Sequence, residues 1–358
     1  MRFFIASGCP IATTTLYRCV HLAEQLRALG HEAEIVDWFD ETQIDPTRAA
    51  GYDAILLYRL PMSPSLAQVI ETAHQTATPV IFDTDDLIFE PDLVHAQRGV
   101  TRLSSNEQEQ HTAGVRRYLQ TLQACDAVTT ATPFLAERAT RRGQRAFVHR
   151  NALGHEMLAL ADRLRPRRLT KQTADKAVIG YGSGTPTHDV DFAEAASSLC
   201  AILNQFPNTE LWIVGPVVIA SELETFGERV RRFPLTDWPD WFERASQFDI
   251  ALAPLELENV FCRAKSEIKF VEAAALGVPV VASRTEPYES LITTREDGLL
   301  ATDEREWVEA LSWLIEDPHR RAEMGGRARQ KVQQRYTPSV RTAELAEMLP
   351  QLLATKSR

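Results

Sequence analysis

Three carboxylates stand within four residues at Asp83-Thr84-Asp85-Asp86, and a second charged group gathers at Lys265, Glu267, Lys269 and Glu272. Carboxylates that close repel one another and need a cation, a ligand or a turn to hold them. Asp85 and Asp86 could accept hydrogen bonds from substrate hydroxyls or take a proton from one. The same D-x-D-D run could bind a divalent cation through oxygen ligands, or serve only as a helix N-cap with an Asx-turn. Lys265, Lys269 and Glu272 are spaced by four and then three residues, so a helix would carry them on one face. Spacing alone reads them as an ion-paired surface helix; a ligand site is the second reading. A glycine-rich turn, Gly182-Ser183-Gly184-Thr185, comes shortly before His188 and a helix start. Free backbone N–H groups in such a place favour anions. His188 either joins them or is an ordinary helix-start residue beside Asp189 and Asp191.

These residues lie at the ends of predicted elements. A strand at Arg2–Ala6, a helix carrying Leu16, Val20, Ala23, Leu26 and Leu29 up to Gly30, and a strand at Ala33–Asp37 make one βαβ unit. Such a unit implies a parallel sheet with a right-handed crossover. Third and fourth strands follow at 54–58 and 79–82, and the fourth empties into Asp83. The loop after the first strand, with Gly8, Thr13 and Thr14, falls where open α/β sheets bind ligands. Arg18, one turn into the helix, either holds an anionic group there or forms a surface ion pair. The alternation restarts at Ala177–Tyr181 and continues through Glu210–Gly215 and 229–233. A helix predicted over 265–276 is ended by Gly277 as a C′ glycine and followed by the buried run Val278-Pro-Val-Val-Ala. The basic, proline-containing stretch 163–171 is expected to link two domains, 1–165 and 166–336, with a last helix in 337–358.

At 358 residues the chain exceeds what one core usually serves. Its 44% hydrophobic and 25% charged composition is that of a globular protein. A net charge of −10 excludes wholesale nucleic-acid binding. The five cysteines are scattered without a C-x-x-C, which fits free thiols in a reducing compartment. No apolar run approaches the roughly 20 residues needed to span a bilayer. A cytoplasmic location is expected, extending at most to the inner face of the membrane.

The stretch Glu272-Ala-Ala-Ala-Leu-Gly-Val-Pro-Val-Val-Ala resembles the motif E-A-M-A-x-G-x-P-V-V-A of retaining, family 4-type glycosyltransferases of the GT-B fold. Phe147-Val-His-Arg-Asn151 and Glu210-Leu-Trp-Ile-Val-Gly215-Pro are similar to other strands of that family. The resemblance implies an α/β protein of two Rossmann-like, doubly wound domains facing a cleft. It implies that the C-terminal domain binds a nucleoside-diphosphate sugar through Gly182, Ser183, Gly184, Thr185, His188, Arg263, Lys265 and Lys269, with Glu272 on the ribose. Gly8, Thr13, Thr14 and Arg18 would then face the acceptor, Asp85 or Asp86 the reacting sugars, and Lys265 the leaving diphosphate. The nucleotide-sugar is a substrate, so no resident cofactor or metal is expected to be required. The sequence departs from the family at Ala264, where its first motif Glu belongs, and at Ser183 and His188, where an Arg and a Lys bind the diphosphate.

A sugar transfer in bacterial surface polysaccharide or glycoconjugate synthesis is the expected function, with a glycan or lipid-linked acceptor. Arg138, Arg141, Arg142 and Arg145 are either a solvated face or a contact with anionic lipid. Trp238 or Trp241 could stack on the base or fill the core. Two rivals share the fold: a nucleotide-sugar epimerase, and a non-catalytic partner, which the changes at Ala264, Ser183 and His188 favour and the kept Glu272 and lysines oppose.

Overall fold

The computed structural model of the protein describes residues 1–96, 100, 103–171, 177–185 and 188–354. They fall into two compact units. The first comprises Met1–Gly154, Ala264–Ser266 and the chain from Pro338; the second comprises His155–Arg263 and Glu267–Thr337.

The first unit is built on strands β1 (Arg2–Ser7), β2 (Glu32–Asp37), β3 (Ala54–Tyr58), β4 (Val80–Thr84), β5 (Ala127–Thr130) and β6 (Ala146–Val148). They form one parallel sheet in the order β2-β1-β3-β4-β5-β6. The order reverses between β1 and β3, and ligand crevices form outside the carboxyl ends of strands at such a switch point. β3 and β4 are buried along their whole length, as strands covered on both faces must be. β4 runs two residues beyond the expected 79–82 apolar run, which takes Asp83 and Thr84 into the sheet and out of the predicted loop.

The first helical segment is not uniform. An α turn at Ala12–Thr15 passes into a π turn at Leu16–Val20 and then into α-helix His21–Ala28. The π turn buries three consecutive side chains, Tyr17, Arg18 and Cys19. Such bulges occur frequently at functional sites. The final helix, Pro338–Leu352, packs Leu345, Leu349 and Leu352 into the core formed by Phe3, Ile5, Leu22 and Leu26 of this unit. Arg145 donates to the carbonyls of Gln351 (3.2 Å) and Ala354, closing the end of that helix.

His149 lies buried beside this core with its Nε2 2.9 Å from Gln25 Oε1. Burial, and then the charges of Arg18, Arg341 and His21, hold its pKa well below the usual histidine value. The unfolded chain therefore takes up this proton near pH ~6.5 while the folded one refuses it. Stability is expected to be level above about pH 6.5 and to fall below it, by up to about 1.4 kcal/mol per pH unit, until the depressed folded pKa is reached. Urea unfolding at about pH 7.5 and about pH 5.5 checks this, because His149→Gln removes that slope.

The second unit carries β7 (Ala177–Gly182), β8 (Thr209–Val214), β9 (Val230–Phe233), β10 (Ile250–Ala253), β11 (Val280–Ser283) and β12 (Leu299–Ala301). The sheet is again parallel, in the order β12-β11-β10-β7-β8-β9, with its switch between β7 and β10. Ile179, Tyr181, Phe192, Leu199, Leu311 and Leu314 are part of its core.

Two expectations are corrected here. The basic stretch 163–171 is the second half of a helix, His155–Lys171, rather than a linker. The helix predicted over 265–276 spans only Ile268–Ala275, with Glu267 as N-cap. Lys265 therefore precedes it and belongs to the first unit, so it does not share a helix face with Lys269 and Glu272. The helix ends as expected. Gly277 adopts φ +74°, Gly277 N donates to Ala274 O (2.8 Å), and Val278 N donates to Ala273 O (2.9 Å). That is a Schellman closure, which only glycine adopts freely.

Candidate functional site

In the first unit the carboxyl ends of β1, β3 and β4 bring together most of the chemistry. Each of the three clustered carboxylates is met by its own cation. Asp83 is 1% exposed and grips Arg18, also 1% exposed: Nη2 donates to Oδ1 at 2.5 Å and Nε to Oδ2 at 2.9 Å. Thr129 Oγ1 donates to the same carboxylate at 2.8 Å. Arg18 Nη1 donates to the carbonyl of His149 (2.5 Å) and to Asn151 Oδ1 (3.0 Å). Burial would weaken the guanidinium charge, but Asp83 more than offsets it and raises the pKa further. Arg18 is thus placed inside the unit as an organiser of β4 and the β6 exit.

Asp85 Oδ1 accepts from Tyr58 Oη (2.9 Å) and Arg59 Nε (2.7 Å), and Arg59 Nη2 makes an ion-pair contact with the same oxygen at 2.6 Å. Asp86 accepts from Lys265 Nζ at 3.1 and 3.2 Å, with Arg59 Nη2 at 3.7 Å. Desolvation would raise the Asp86 pKa, but Lys265 and Arg59 hold it down to about 2. Among the described residues no group of three or more His, Cys, Asp or Glu is arranged to hold a metal ion. Asn151 Nδ2 donates to Ser266 Oγ (3.1 Å), which fastens the segment carrying Lys265 to the same unit.

The loop after β1 packs closely on this group. A Cβ built on Gly8 would stand 2.5 Å from the carbonyl oxygen of Arg59, so glycine is required by close approach. Thr14 Oγ1 donates to Ile11 O (2.9 Å) and lies 3.2 Å from Cys9 Sγ, while Thr13 is exposed on the first turn.

In the second unit the candidate donor residues meet at the end of β7. Lys269, in the first turn of helix Ile268–Ala275, donates from Nζ to the carbonyl of Gly182 and lies 4.8 Å from the Tyr181 ring centre. One turn further on, Glu272 accepts from Trp241 Nε1 at 3.0 Å. The Trp241 ring fills the space where a Cβ on Gly182 would stand, 2.3 Å away. Trp241 is therefore committed to Gly182 and Glu272. Ser183 Oγ donates to Thr185 O (2.8 Å), shaping the loop that includes Gly184, and Gly215 with φ +98° presses against the Ser183 carbonyl. His188 Nδ1 is 2.7 Å from Asp191 Oδ2. Desolvation would raise the Asp191 pKa, but hydrogen bonds from His188, Cys262 Sγ and Glu256 N hold it below the usual range. Arg263 lies about half exposed, paired with Glu286 at 3.3 Å.

Sequence reasoning missed Tyr58, Arg59 and Asp191 as site residues. Tyr58 and Arg59 carried one signal, their place at the carboxyl end of a predicted strand, and Asp191 carried its spacing from His188. The basic cluster is largely neutralised within the first unit. Arg138 pairs with Glu90 (3.0 Å), Arg142 with Glu90 (3.1 Å) and Asp92 (2.7 Å), and Arg141 with Glu137 (2.5 Å). Among the described residues no helix is long and apolar enough to cross a membrane.

Two parallel six-stranded α/β units with these strand orders define the GT-B class, and comparison with solved structures agrees. HepE of Anabaena, solved in complex with UDP and glucose, superposes with a TM-score of 0.66 at 16% identity, covering 98% of this chain and 100% of that one. Sucrose-phosphate synthase of Thermosynechococcus elongatus gives 0.65 at 16%, covering 98% and 99%. WaaG, a glycosyltransferase involved in lipopolysaccharide biosynthesis, gives 0.65 at 13%, also covering 98% and 99%. A family model described as "Glycosyl transferase-like" matches residues 199–347. Comparison with the curated proteins gives no match.

Proposed function

We propose that the protein is a glycosyltransferase that moves a sugar from a nucleoside-diphosphate sugar to a glycan or lipid-linked acceptor in bacterial surface-polysaccharide synthesis, with retention. The observation that carries the reading is the helix Ile268–Ala275. It sets a cation, Lys269, against the glycine turn at the end of β7, and a carboxylate, Glu272, one turn later on the same face. A cation at a glycine turn suits a diphosphate, and a carboxylate oriented by an indole suits the two hydroxyls of a ribose. The backbone of Gly182–Thr185 and the imidazole of His188, held by Asp191, take the place of the family's missing Arg and Lys. Arg263 and Lys265 are proposed as further cations for the leaving diphosphate, which needs positive charge as it departs. Each is now balanced by a carboxylate, Glu286 at 3.3 Å and Asp86 at 3.1 Å. No resident cofactor is assigned, and the three clustered carboxylates are read as organisers of cations. In the first unit Asp85 is proposed to bind a hydroxyl of the reacting sugar, with Gly8, Thr13 and Thr14 on the acceptor side and Arg18 holding their helix. The match to a glycosyl transferase-like model supports this reading, as do HepE with UDP and glucose and WaaG in lipopolysaccharide biosynthesis.

The test is a thermal-shift screen against UDP, GDP, dTDP and their sugars, followed by donor hydrolysis and transfer assays. A ligand of the folded state adds about 2.7 kcal/mol at a hundred times its Kd. One nucleotide class is expected to raise Tm and its sugar to be turned over. Binding of none of them by the folded protein would overturn the assignment of a UDP, GDP or dTDP sugar donor.

A further inference from the structure

We propose that Arg59 is a positioning residue for the reaction: it captures one oxygen of Asp85 so that the other faces the substrate hydroxyl. The inference rests on the role given to Asp85 above.

Three observations carry it. First, the side-chain hydrogen bonds to Asp85 among the described residues end on Oδ1, from Tyr58 Oη at 2.9 Å and from Arg59 Nε at 2.7 Å, and the ion-pair contact of Arg59 Nη2 at 2.6 Å is to the same oxygen. That leaves Oδ2 to accept from a hydroxyl outside the network. Second, Arg59 has φ +47°, a left-handed conformation that an arginine adopts only where its surroundings impose it. Its N–H continues the β3–β4 ladder to Asp83 O (3.0 Å), and its carbonyl lies where a Cβ on Gly8 could not fit. Two strand ends and a glycine thus fix the backbone from which the guanidinium reaches Asp85. Backbone strain of this kind collects at functional sites. Third, the same guanidinium stands 3.7 Å from Asp86, which in turn holds Lys265 at 3.1 Å. One side chain therefore sets the orientation of one carboxylate and the charge balance of the next.

The test uses the full chain with the donor found by the nucleotide screen. Arg59→Gly suits the left-handed φ but leaves Asp85 without its cation, so Tm is expected to fall while kcat of the folded variant drops by up to about 100-fold. Donor KM is expected to change less than kcat, because the nucleotide contacts assigned to Lys269, Glu272 and the glycine turn do not involve Arg59. Added guanidinium ion is expected to restore part of kcat, which a merely structural role would not predict. Should Arg59→Gly fold poorly, Arg59→Lys serves: it keeps the charge but loses the Nε hydrogen bond and the planar guanidinium, and kcat should drop in the same direction. Unchanged kcat in a folded Arg59 variant, or a loss confined to donor KM, overturns the proposal while leaving the glycosyltransferase reading intact. A wild-type protein that turns over no donor overturns both.

Discussion

Replacing Arg18 by methionine is expected to destabilise the protein by about 3–5 kcal/mol, the cost of leaving a buried charge without its partner. Asp83 is 1% exposed, and without the guanidinium it retains only the single hydrogen bond from Thr129 among those described above. The loss extends beyond one ion pair, since Arg18 also serves the carbonyl of His149 and the side chain of Asn151. The double replacement Arg18→Met with Asp83→Leu separates these contributions. An apolar pair in place of a buried ion pair is often neutral or better, so most of the loss should return. A residue of about 1–3 kcal/mol or more should remain for the three groups left unsatisfied, the His149 carbonyl, Asn151 Oδ1 and the Thr129 hydroxyl. Denaturant unfolding of the single and double variants gives both numbers. A single-variant loss below about 1 kcal/mol would mean that the Arg18–Asp83 pair does not organise the unit.

That pair also explains how three carboxylates within four residues coexist. The chain does not bring them to one ligand. It turns Asp83 inward within β4 and lets Asp85 and Asp86 follow at the strand's end, where cations arrive from three separate segments: Arg18, Arg59 and Lys265. Local sequence shows the repulsion but not its resolution, because the resolving residues are distant along the chain.

The same distinction governs what could be read beforehand. The parallel strands, the Gly277 stop and the buried strand after it were legible, since each depends on a local pattern of apolar runs and a left-handed glycine. The start of the helix before Gly277 was not. Its apolar spacing extends backwards through Ala264, and Glu267 makes no side-chain cap hydrogen bond to mark the boundary. The end of β4 was misplaced because a charge normally closes an apolar run, and Asp83 is tolerated in the sheet only through Arg18. The basic cluster at 138–145 looked like an open cationic face because Glu90 and Asp92 lie far from it in sequence. Arg59 could not have been found at all from propensity, since a positive φ at arginine is set by packing against Gly8 and the β3–β4 ladder.

Lys269→Ala is expected to weaken nucleoside-diphosphate binding by about 10- to 100-fold, the loss of one charge-assisted contact of about 1.5–3 kcal/mol. Lys269 Nζ rests on the Gly182 carbonyl and near the Tyr181 ring, at the mouth of the glycine turn. An incoming phosphate would find this cation already in place, with the Gly182 carbonyl as the contact it must share. The charge acts on phosphate alone, so the variant should lose affinity for UDP, GDP or dTDP but little for the bare nucleoside. Glu272→Gln makes the complementary change. Glutamine still accepts from Trp241 Nε1 but no longer offers a charged acceptor to ribose hydroxyls, so nucleoside and nucleotide should weaken together by up to about 10-fold. Calorimetric titration of both variants with a nucleoside and its diphosphate reads the two effects. A Lys269 variant that loses nucleoside and nucleotide equally would place the phosphate elsewhere, and the helix Ile268–Ala275 would no longer carry the donor assignment.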